Sequence, residues 1–75
     1  MKLTEAKDGQ QLEVVAVEGQ SASLQALRFG IDAGSKITVQ KNISGGPVII
    51  SKNLVEIAIG RDIAIAISVT ERAAK

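Results

Sequence analysis

Hydrophobic and polar positions change period several times along the chain, and each change marks an element. In QLEVVAVE, Leu12, Val14 and Ala16 alternate with Glu13, Val15 and Val17. The β-branched content predicts a strand, and apolar residues on both faces predict one that is largely covered. GQSASLQALRFG then shifts to helical spacing, with Leu24 and Leu27 three apart, Ala26 beside them, and Gln25 and Arg28 on the other side. This predicts one short amphipathic helix that docks its leucines on a sheet and leaves Gln25 and Arg28 in water. Ser21 and Ser23 stand where helix N-caps are common.

Strands follow at close intervals. KITVQK places Ile37 and Val39 on one face, NISGG is a turn-rich break, and Pro47 opens PVIIS where its missing N–H does least harm. A tight turn is expected at Lys52–Asn53, because Asn accepts a positive φ. LVEIAI then points Val55, Ile57 and Ile59 inward, and Gly60, Arg61 and Asp62 break it as a single 3₁₀ turn. IAIAISVT gives the cleanest period of two, with Ile63, Ile65, Ile67 and Val69 alternating with Ala64, Ala66, Ser68 and Thr70. At the ends, KDGQ reads as a turn through Asp8 and Gly9, and ERAAK as a frayed terminus.

Five short strands with a helix between the first and second leave no crossover long enough for parallel pairing. A chain of this size covers its sheet edges by curling up. The expected fold is therefore mainly β: a small SH3-like five-stranded antiparallel barrel with one short helix between strands 1 and 2. An OB-fold is the runner-up, and residues 1–75 make a single domain.

Composition narrows the chemistry more than the fold. With no Cys there is no disulfide or thiol, and with no His the commonest general base and transition-metal ligand are gone. Phe29 is the sole aromatic, so neither base stacking nor a PxxP groove has its rings. A formal net charge of +1 gives no basic footprint for nucleic acid. MKLTEAKDG lacks the apolar core of a signal peptide, and no stretch approaches the ~20 apolar residues of a spanning helix. The expectation is a cytosolic, non-enzymatic protein without cofactor, nucleic acid or membrane insertion. Exposed strand edges make monomer and homodimer equal expectations.

FGIDAGSK sets two glycines, Gly30 and Gly34, ahead of Ser35 and Lys36, and poses the question of a phosphate loop. In a P-loop the anion sits on the N–H groups of a following helix. Here the helix comes first, so the loop meets its C-terminal end, whose partial charge repels phosphate. The structural reading accounts for each residue: Gly30 closes the helix left-handed, Ile31 folds back on the last turn, and Asp32 to Gly34 turn into the next strand. SGGP at 44–47 reads as turn punctuation rather than an anion nest. Glu13 and Glu56 could approach each other on a barrel as a weak oxygen-ligand site, and a solvated face is the plainer reading.

Taken in order, LTEAKDGQQLEVVAVEG, LQALRFGIDAGSKITV, GGPVII and LVEIAIGRDIAIAISV resemble the FeoA family, small proteins of bacterial ferrous iron uptake. The resemblance spans nearly the whole chain. Phe29 stands where the family usually has Leu, and Ala33 where it often has Pro; both keep the turn feasible. The resemblance implies an SH3-like barrel and an accessory role to the membrane transporter FeoB, whose cytosolic part carries a GTPase. Similar domains occur fused to iron- and manganese-dependent repressors, and the alternative is a metal-sensing or regulatory role, binding a divalent cation through oxygen ligands. The expected contact surface is the exposed side of the helix (Gln25, Arg28) with the tip of the following hairpin (Lys52, Asn53).

Overall fold

Five strands share one antiparallel sheet in the order β4-β3-β2-β1-β5: β1 (Gln11–Val17), β2 (Lys36–Asn42), β3 (Val48–Lys52), β4 (Val55–Ile59) and β5 (Ile67–Glu71). The computed structural model describes residues 1–72 of the chain. Helix α1 (Gln20–Arg28) joins β1 to β2, a one-turn helix α2 (Arg61–Ala64) joins β4 to β5, and Leu3–Glu5 form a 3₁₀ turn.

The sheet is not closed, and the expected barrel does not form. β4 and β5 are its two ends and do not pair with each other. The outer side of β5 is occupied instead by the chain's first residues. Val69 N–H donates to Met1 O at 2.7 Å, the Met1 amino group donates to Val69 O, and Lys2 bridges Ser68. Short helices do the closing that strand pairing was expected to do. Leu3, Ala26 and Ala64 are fully buried, which seats the 3₁₀ turn, α1 and α2 on the same core.

That core is wholly aliphatic, with Leu12, Val14, Ile37, Val39, Val48, Ile50, Ile59, Ile67 and Val69 supplied by the strands. Ile37 and Val39 point inward as their spacing predicts. β1 departs from simple alternation. Its register against β5 shifts between Val14 and Ala16, so Leu12 and Val14 are buried while Val15 and Ala16 are exposed. The extra residue of a bulge inverts the phase of everything after it, so β1 is not covered on both faces.

The period-two run in IAIAISVT is only half a strand. Ile63 and Ala64 donate to Gly60 O, which starts α2, and β5 begins at Ile67. Alternating alanines carry no β-branched bias, and they let the first half coil; Ile65, which alternation groups with buried Ile67 and Val69, is 58% exposed. At the other end of β4, Ile59 is buried and Ile57 half-buried, but Val55 is exposed. Of the expected frayed end, Glu71 belongs to β5, and Arg72 donates its N–H to Gln11 O and Nε–H to Leu12 O. Residues 73–75 lie outside the described residues.

Asn42 and Arg61 tie the N-terminal segment to this frame. Asn42 Nδ2 donates to Thr4 O and Ala6 O, its backbone N–H donates to Asp8 Oδ1, and Arg61 donates to both Asn42 Oδ1 and Ile43 O.

Candidate docking surface

Helix α1 ends as its sequence predicts. Gly30 adopts φ 74°, its N–H donates to Leu27 O, and Ile31 N–H reaches back to Ala26 O. These are the paired bonds of a Schellman motif, and buried Ile31 is the apolar residue that seals it. The helix start differs from expectation. Its N-cap is Gly19, with no side-chain cap bond, so neither Ser21 nor Ser23 caps it.

The orientation of α1 also differs. The inward side is small: Ala26 is fully buried, and Ala22 and Ser23 are half-buried. Leu24 and Leu27, the residues expected to dock, are 57% and 51% exposed, and Phe29 just beyond them is 46% exposed. At 100° per residue Leu24 and Arg28 share the outermost line of the helix, with Leu27 on one flank and Gln25 on the other. The helix is amphipathic in the reverse sense. Its small residues approach the core and its large apolar residues face out.

Sequence and structure agree that the β3–β4 hairpin ends in a tight turn, which falls one residue later than expected, at Asn53–Leu54. Asn53 takes φ 52° and Leu54 takes φ 69°. The Lys52 side chain reaches from the base of this turn to the end of α1: its Nζ is 3.6 Å from where a Cβ on Gly30 would stand. Lys52 and Arg28 thus bring two cations to the C-terminal end of the helix dipole, the end that favours positive charge. Of the four expected contact residues, Gln25, Arg28 and Asn53 are exposed and Lys52 is half-buried. Those the sequence reading missed are apolar: Leu24, Leu27, Phe29, Leu54 and Val55, all exposed. One signal was available, since Leu follows Asn53 where a two-residue hairpin usually puts Gly.

Other candidates are accounted for by the fold. Every backbone N–H from Gly30 through Ser35 is engaged within the chain, accepted by Leu27 O, Ala26 O, Ser35 Oγ, Asp32 Oδ1, Val14 O and Asp32 O in turn. None remains to hold a phosphate. Glu13 and Glu56 stand on β1 and β4 with β2 and β3 between them, so the oxygen-ligand pair is not assembled. Among the described residues no group of three or more Asp or Glu is placed to hold a metal ion. A shallow depression between Lys7–Gln11 and Glu71–Arg72 is open and carries both charge signs. Among the described residues no helix is long and apolar enough to cross a membrane.

Comparison with known proteins converges on one family. A family model described as the FeoA domain matches residues 1–71. A provisionally assigned Fe(2+) transport protein A of Methanocaldococcus jannaschii is 40% identical over 67 residues, covering 88% of this chain and 80% of that protein. A crystal structure of an iron uptake regulatory protein, FeoA, superposes with a TM-score of 0.85 at 32% identity, over 96% of each chain. A manganese-dependent transcriptional repressor superposes with a TM-score of 0.87 over 96% of this chain and 41% of its own, at 19% identity. That last likeness concerns the fold alone.

Proposed function

The chain belongs to the FeoA family, and on that footing we propose that it is a non-catalytic accessory protein of ferrous iron uptake. It docks from the cytosol on the GTPase-bearing part of a FeoB-type membrane transporter and modulates it. Family membership supports the iron-uptake role. The observation that carries docking is the reversed helix, which puts Leu24, Leu27 and Phe29 outside while Ala26 faces the core. A short helix that spends its small face on its own fold and its large face on solvent is built to be covered by something else. The hairpin tip at Lys52–Asn53 extends that surface.

Titration calorimetry of this protein against the purified cytosolic region of a FeoB-type transporter tests the reading. One-to-one binding in at least one nucleotide state is expected. Absence of binding in the nucleotide-free, GDP and GTP-analogue states, at low and high salt, overturns it.

A further inference from the structure

Leu54 is unfavourable for this fold in two respects. Its side chain is fully exposed, at 103% of the reference area, and its backbone is left-handed. Positive φ at both Asn53 and Leu54 is the geometry of a type I′ turn, which accepts Asn first and prefers Gly second. Any residue with a Cβ crowds its own following carbonyl there. Glycine would make the same turn without crowding and without presenting a bare isobutyl group to water. An apolar side chain held in a strained and fully solvated position points to a use outside the fold.

The surroundings say what kind of use. Leu54 adjoins exposed Val55, and the Lys52 side chain links the base of the turn to the end of α1, which has Leu24, Leu27 and Phe29 on its outer side. Across α1 and the β3–β4 hairpin the charged residues are Arg28, Lys52 and Glu56; Glu56 pairs with Ser51 and so points to the opposite face from Val55 and Lys52, which leaves two cations beside the apolar residues. A second copy docking through this face across a two-fold axis would set like charges against each other. A lipid surface would accept the same residues, but it gains nothing from a rigid turn that aims one leucine in a fixed direction.

We infer that Leu54 is an anchor that inserts into an apolar pocket rimmed by carboxylates on a protein partner. The inference rests on the docking reading above and adds to it the residue at the centre of the contact and the chemistry of the partner's side.

The test uses the full chain and three variants: Leu54→Gly, Leu54→Asn and the double reversal Arg28→Glu, Lys52→Glu. Both Leu54 variants should keep or raise Tm, because each new residue is at home at positive φ. Each should weaken binding to the FeoB-type cytosolic region by about tenfold or more. The double reversal should weaken it further, and raising salt should weaken binding by the parent. Parent binding that survives Leu54→Gly within about twofold overturns the anchor and leaves the docking reading standing. If the parent does not bind, both fall together. Co-sedimentation of the parent, but not Leu54→Gly, with phosphatidylglycerol–phosphatidylcholine vesicles would overturn the inference in favour of a lipid surface. Self-association in sedimentation equilibrium that Leu54→Gly abolishes would overturn it in favour of a second copy.

Discussion

Arg61 illustrates how much of this small fold can depend on one side chain. Its guanidinium donates to Asn42 Oδ1 and Ile43 O, and Asn42 in turn donates to Thr4 O and Ala6 O. Helix α2, the end of β2 and the N-terminal segment are thereby joined through polar groups at the margin of a core that, among the described residues, has no polar residue of its own. Bonds from a charged donor contribute more than neutral ones, and losing them leaves carbonyl oxygens to find water. Arg61→Met keeps the stem and removes the donors; it should cost roughly 1.5–3 kcal/mol in urea denaturation. Far-UV circular dichroism is the readout, since the chain has neither Trp nor Tyr. A loss below about 0.5 kcal/mol would show that water replaces the tie at no cost. Arg61 lies within the stretch that carries the family resemblance, but its role was not legible, because its partners lie 18 and 19 residues away, at and just beyond the end of β2.

Helix α1 shows which features of an element local sequence encodes. Its existence, its length and its stop at Gly30 were all legible, since capping is decided by residues within one turn of each other. Its orientation was not. Helical period says which residues share a face, but room against the neighbouring element decides which face turns in. α1 packs near β1 and α2, where Ala26 fits with no exposure and Ala22 and Ser23 flank it. Ala26→Leu should therefore cost about 1–3 kcal/mol by overpacking. The pair Leu24→Gln, Leu27→Gln should change stability by no more than about 0.5 kcal/mol per site. Thermal melts of the two variants separate the reversed helix from the one its hydrophobic spacing suggests, which would give the opposite ranking. IAIAISVT has the same lesson, for alternation alone cannot tell a strand from a strand preceded by a turn of helix.

At the scale of the molecule, strand number and antiparallel pairing were legible, while the open sheet was not. Closure depends on what occupies the outer side of β5, and that proves to be Met1 and Lys2, whose contact with Val69 spans 68 residues. Among the described residues no strand pairs with the outer side of β4, which leaves an apolar run, Val55 to Ile59, interrupted by exposed Glu56 alone. A charge on an open edge discourages another strand from adding to it. Glu56→Val should raise self-association, seen by light scattering after size exclusion; a variant that stays as monodisperse as the parent would show that β4 is protected in another way. The pairing of Met1 with Val69 also separates local from distant contacts in folding. The β2–β3–β4 meander is made of near neighbours and is free to form from local contacts. β1, though made earlier, lies in the finished sheet between β2 and β5. Met1 therefore gains its sheet partner only once Val69, 68 residues further along, is in place, so local contacts alone cannot cover the outer side of β5.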